Sequence, residues 1–152
     1  MQAIFGGVIA VVLLAIYLHL IWLGVLVVNC LTTDGCTRYS PAFFNEGMAQ
    51  ALSIVGGLVS ALVIAELAIT RPGEAPAARA LDDTASQRAK LILKVVTAFY
   101  VLVWMGAGLT AFLVGLYHPK ELPPLTTLGQ AWLGLAVASA YAYFGLKPSG
   151  AT

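Results

Sequence analysis

Four long apolar runs constrain this chain more than any other feature. They cover about Ala3–Val28, Gly47–Thr70, Ala89–Tyr117 and Leu128–Leu146. A helix needs roughly 20 apolar residues to cross about 30 Å of hydrocarbon. Lipid offers the backbone no hydrogen-bond partners, so a span must be a helix or a strand of a closed barrel. No run alternates as a barrel strand does. The sequence therefore predicts an all-α membrane protein, a four-transmembrane-helix bundle in a single domain.

Composition supports the same reading. Of the 152 residues, 60% are hydrophobic and 10% are charged, against about 25% charged in soluble domains. A soluble core has no room to hide that much apolar surface, whereas a lipid bilayer is a partner for it. The net charge of +1 gives no reason to expect nucleic acid. The first run is read as a retained span. Residues 1–28 hold no Lys or Arg, and the run exceeds the apolar segment of a cleaved signal.

Orientation follows from the basic residues. Arg71, Arg79, Arg88, Lys90 and Lys94 surround the second connection, whereas the first holds only Arg38 and the third only Lys120. Loop 71–88 is thus predicted to be cytoplasmic, with both termini inside (N-in/C-in) and Asn29–Glu46 and His118–Thr126 outside. A compact chain of this kind suggests a bacterial inner (plasma) membrane.

Local signals mark the helix ends. Ser40-Pro41 resembles an N-cap followed by proline at the first helical position. Thr84 with Gln87, and Thr127 with Gln130, have capping-box spacing. Arg71-Pro72-Gly73 stops the second helix, and His118-Pro119 and Pro123-Pro124 bracket the loop after the third. Tyr39, Phe43, Phe44 and Tyr117 fall near the outer boundary, and Tyr141, Tyr143 and Phe144 near the inner one, as in interfacial aromatic belts.

Ala49, Ser53, Gly57, Ala61 and Ala65 put a small residue at every fourth position of the second run. Such stripes let helix backbones approach closely. The stripe is predicted to serve packing within the bundle or an oligomer interface. Smaller sets recur at Ala107, Ala111 and Gly115, and at Gly134, Ala138 and Ala142.

The polar residues inside the runs are few. Glu66 and Lys94 lie at matching depth near the cytoplasmic side, and His19 lies deeper in the first run. Ionisable groups at such depth pair, snorkel or mark a pathway. A Glu66–Lys94 pair is the structural reading, and an ion or proton path is the functional one. For His19 the structural reading is a neutral imidazole bonded inside the bundle. The only other histidine, His118, is predicted at a different depth, which disfavours haem held by two histidines of one chain.

Cys30 and Cys36 flank a short segment beyond the first run. On the outer side of a membrane a disulfide persists, so a clip is predicted. Two free thiols, or a metal or redox pair, are the alternatives. No phosphate-binding loop, zinc-protease motif or nucleophile elbow is present in the sequence. No catalytic residue, cofactor or metal is assigned, and the chain is not expected to be an enzyme by itself.

Four spans, cytoplasmic termini and two cysteines in the first outer loop make a layout similar to that of claudin-like tetraspan proteins. The loop lacks that family's tryptophan-rich signature and is too short for its outer sheet, so no residue is carried over. The function expected is a structural or accessory subunit of a membrane complex or homo-oligomer. The alternative is an oligomeric channel or small transporter with Glu66, Lys94 and His19 near the pathway.

Overall fold

A computed structural model describes residues 2–33, 35–69 and 87–144. It is all-helical. The four long helices are α1 (Gln2–Leu31), α2 (Glu46–Ile69), α3 (Gln87–Tyr117) and α4 (Pro123–Phe144). Three contain stretches long and apolar enough to cross a membrane: Gly6–Leu31, Glu46–Ala65 and Lys94–Tyr117. The fourth, 22 residues long, is less apolar because Thr126, Thr127, Gln130 and Ser139 interrupt it. Loop residues 71–86 lie outside the described residues, Thr84 among them, as do residues 145–152.

One helix cap and one helix start differ from the sequence expectation. Ser40-Pro41 does not open α2. The Phe43 N–H donates to the Ser40 carbonyl at 2.9 Å, which closes one tight turn over Pro41–Phe43, and the chain then breaks. Asn45 is the true cap. Its side-chain oxygen accepts from the Met48 N–H at 2.9 Å, satisfying a donor that the first helical turn leaves orphaned. Helix α4 starts at Pro123, earlier than the expected Leu128. The Leu122 carbonyl accepts from the N–H groups of Leu125 (3.0 Å) and Thr126 (3.2 Å). Pro123 and Pro124 occupy first-turn positions whose N–H groups would be unpaired anyway. The two prolines therefore begin the helix, and Thr127 and Gln130 lie inside it.

Most buried residues recur three or four apart: Leu14, Tyr17, Ile21, Gly24 and Val28 on α1; Leu52, Gly56, Val59 and Val63 on α2; Trp104, Gly108, Ala111 and Gly115 on α3; and Leu125, Gly129 and Trp132 on α4; Leu20, Val27, Cys30, Ser60, Ala107 and Ser139 are buried as well. That spacing keeps one face of each helix turned inward. Helix α4 packs most extensively on α3 and then on α2, while α1 packs on α2 and more lightly on α3. The order around the bundle is therefore α1, α2, α4, α3. A Cβ built on Gly24 would touch Leu122 and Leu125 at 3.4 Å, so the α3–α4 turn sits beside the last turns of α1. Both visible connections share this loop end.

Close approach of α3 and α4 depends on glycine at successive levels. Gly115 faces the Thr126 backbone, Gly129 faces Ala111 and Phe112, and Gly108 faces the Trp132 indole. Beyond the loop-end turns, Tyr39 meets Phe43 edge-on at 5.3 Å between ring centroids. Tyr117 is exposed at the end of α3, and Phe44 is buried rather than displayed in a belt.

Cys30 and Cys36 form a disulfide, with Cα atoms 5.3 Å apart. The Thr32 and Thr33 hydroxyls donate to the Val28 and Asn29 carbonyls at 3.1 and 2.8 Å, covering acceptors that the end of α1 leaves open. Gly35, at φ +82°, supplies the left-handed backbone that turns the chain back. Replacing both cysteines by serine is expected to cost about 2 kcal/mol, the chain-entropy value for so short a loop. Unfolding in detergent checks this. Maleimide should label neither cysteine before reduction and both after it. Labelling without reduction would contradict the clip.

Candidate functional site

His19 and Tyr17 face opposite ways because residues two apart on an α-helix differ by about 200°. Tyr17 is fully buried. His19 is exposed on the outside of the four-helix unit, so the expected imidazole inside the bundle is not what the fold produces. Trp22, three residues on and on the same face, is 62% exposed. Lys94 is exposed near the start of α3. Glu66 belongs to α2, but its side chain lies outside the described residues, as does any pairing with Lys94. His118 is half-buried just beyond α3.

The α2 stripe does not line one seam. A step of four residues advances about 40° around a helix, so the stripe curls from one side of α2 to another. Ala49, at the loop end, is half-buried beside α4, while Ser53, Gly57, Ala61 and Ala65 are exposed. Nothing lies within 4 Å of a Cβ built on Gly57. Packing within the chain uses Gly56, Val59, Ser60 and Val63 instead. On α4, Gly134 likewise meets nothing and Ala138 is exposed.

A layer of aromatic and polar side chains occupies the middle of the bundle. The Trp104 Nε1–H donates to Ser60 Oγ at 3.1 Å, joining α3 to α2 across the core. The Trp104 and Trp132 rings meet at 5.8 Å and 57°. The indole of Trp132 rests on Gly108, where any Cβ would overlap it. Tyr17 reaches from α1 to Gly56. A Cβ there would stand 3.3 Å from Tyr17 Cε2, 3.8 Å from Cδ2 and 2.7 Å from Leu128 Cδ1. Three buried polar atoms in this region have no partner among the described residues: Tyr17 Oη, Tyr100 Oη and Trp132 Nε1. The buried Ser139 hydroxyl bonds its own helix, donating to the Leu135 carbonyl at 2.7 Å.

Above this layer a cleft of about 400 Å³ runs between α2 and α4. Tyr17, Gly56, Ser60 and Trp132 form its buried floor. Ser53, Gly57, Thr127 and Ala131 stand at its open side. The volume lies within the range of small-molecule sites. The walls are mainly apolar, with Ser53 and Thr127 at the rim and Ser60 in the floor. Among the described residues, no group of three or more His, Cys, Asp or Glu is placed to hold a metal ion. The cleft therefore offers shape and hydrogen bonding.

The aromatic residues of this site, Tyr17, Tyr100, Trp104 and Trp132, were not singled out from the sequence. A usable signal existed. Tyr and Trp concentrate at the two ends of membrane spans, whereas Tyr17, Tyr100 and Trp104 lie well inside their apolar runs. An aromatic with a polar handle at such a position needs an internal partner. No protein family, curated protein or solved structure matches this chain.

Proposed function

We propose that this protein is an integral membrane protein of a bacterial inner membrane, with all four helices crossing and both termini inside. It acts as a structural or accessory subunit bound to another membrane chain or to further copies of itself. The exposure of His19 is the observation that carries this reading. The residue lies about 18 Å from the end of α1 at Leu31, taking 1.5 Å per residue, and so near mid-depth. An imidazole facing lipid there is costly, and such groups almost always face protein or a water-filled cavity. A partner that covers His19 and Trp22 removes the cost. The exposed Gly57, Ala61 and Ala65 on α2 support the same reading, because they allow a second close helix contact outside the bundle.

The test is a photo-crosslinking amino acid at position 22, in cells, followed by extraction in mild detergent and mass measurement of the particle. A discrete crosslinked protein, and a particle heavier than one 15.9 kDa chain, are expected. Only lipid adducts at position 22 on a monomeric particle would sink the proposal. The channel alternative requires a path between copies, lined by His19. It is favoured only if the crosslinked chain is a second copy and His19→Leu abolishes ion flux in liposomes.

A further inference from the structure

We propose that the outward face of α1 pairs with the same face of a second copy of this chain. The two α1 helices run parallel, and His19 bonds the partner's His19 across a two-fold axis. The proposal rests on the subunit reading above and commits it to one partner.

Among the described residues of α1, the exposed ones with hydrogen-bonding side chains are His19, Trp22 and Asn29. At about 100° per residue they fall within roughly 80° of arc around the helix. Val8, Val12 and Ala15, also exposed, and the half-buried Leu26 continue the same stripe. From Val8 to Asn29 its members alternate four and three apart, the spacing of a seam along which two helices wrap. The other exposed residues described on α1 are aliphatic or glycine. Its outward polar atoms are therefore confined to one stripe.

Three features favour a second copy as the occupant. Copies of one chain insert the same way up, so a two-fold axis along the bilayer normal sets equal residues at equal depth. A neutral imidazole holds one donor and one acceptor, and a carboxamide holds both. His19 and Asn29 can each bond their own duplicate, making two rungs about 15 Å apart at 1.5 Å per residue. A chain of different sequence would need a matching polar group at each depth. Charge points the same way. Helix α1 contains no Asp, Glu, Lys or Arg, so parallel copies bring no like charges together, whereas α3 carries Lys94 exposed. Register follows from the lone histidine, as one polar residue in an apolar seam fixes alignment. A slip of seven residues would set His19 against Val12 or Leu26 and leave the imidazole unpaired.

The test co-expresses two differently tagged copies of the full chain, with a photo-crosslinking amino acid at position 15, 22 or 102. Leu102, on α3, is 68% exposed and serves as the control face. Crosslinks joining the two tags are expected from positions 15 and 22 and not from 102. In liposomes, energy transfer between donor- and acceptor-labelled copies reads their association as lipid is added. His19→Leu should weaken association about three- to ten-fold, as loss of one hydrogen bond between membrane helices does. His19→Asn retains a donor and an acceptor and should stay near wild type. His19 is exposed, so neither change disturbs the chain's own core. Equal association of all three proteins would overturn the imidazole pair. Tags joined only from position 102 would overturn the α1 face. Crosslinks from 15 and 22 to a different protein would overturn the second copy while supporting the subunit reading. Lipid adducts alone, on a particle heavier than one chain, would overturn the α1 face only; on a monomeric particle they would sink the subunit reading too.

Discussion

Replacing Gly129 by alanine will force α3 and α4 apart and lower stability by about 2–3 kcal/mol, the upper part of the range for overpacking a filled interior. The Cβ would stand 2.6 Å from Phe112 Cα, 2.8 Å from the Phe112 nitrogen and 3.0 Å from the Ala111 carbonyl carbon. All three are backbone atoms, so no rotamer change relieves the overlap and a helix must move. Gly115→Ala meets the Thr126 backbone at 2.8 Å and should behave alike. Gly134→Ala, on the same helix as Gly129, meets nothing within 4 Å. It should be neutral or mildly stabilising, because alanine favours the helix over glycine. Thermal unfolding in detergent, followed by tryptophan fluorescence, distinguishes the three. Equal midpoints for Gly129→Ala and Gly134→Ala would show that the α3–α4 approach has been misplaced.

Trp104→Ala should be more damaging, at about 3–5 kcal/mol, the usual cost of truncating a buried tryptophan. Trp104 is 1% exposed and touches three helices' worth of structure. It bonds Ser60 on α2, meets Trp132 from α4 and is carried by α3. Trp104→Phe restores most of the volume and should cost much less, since it gives up chiefly the bond to Ser60, worth about 1 kcal/mol. Measured in the same detergent, the order should be wild type, then Trp104→Phe, then Trp104→Ala. A Trp104→Ala protein as stable as wild type would mean that the mid-bundle layer does not hold the helices together.

The sequence was most legible where a local rule had no competitor. The apolar runs locate α1 and α3 closely, because nothing but a helix accommodates such stretches. The Cys30–Cys36 clip was legible because a separation of six residues closes easily. Helix starts were harder. Proline both ends a helix and opens one, and only the Leu122 carbonyl's two bonds decide that Pro123 opens α4. Asn45 was overlooked because Ser40-Pro41 offers the same chemistry nearby.

The inward faces were the least legible part. Ordinarily a buried stripe stands out against a polar surface. Here the outward residues are as apolar as the inward ones: Val11, Val12, Leu91, Phe99 and Leu102 are at least half exposed. Hydrophobicity then carries no phase, and small residues four apart become the only visible pattern. Because that pattern curls around α2, it joined the cleft wall at Ala49 to the outward positions Ala61 and Ala65. The same loss of phase hid which way His19 points.

By itself the sequence located the four long helices found among the described residues, favoured the Cys30–Cys36 clip over free thiols, and showed the rarity of charge within the runs. These follow from segment length, composition and short-range geometry. Tertiary structure alone decided that Tyr17 faces in and His19 out, that Gly108, Gly115 and Gly129 bring α3 against α4, and that Trp104 reaches Ser60. Each depends on the rotation of one helix against another. That rotation is set by the fit of glycine gaps to aromatic rings across helices, a long-range match that no single run contains.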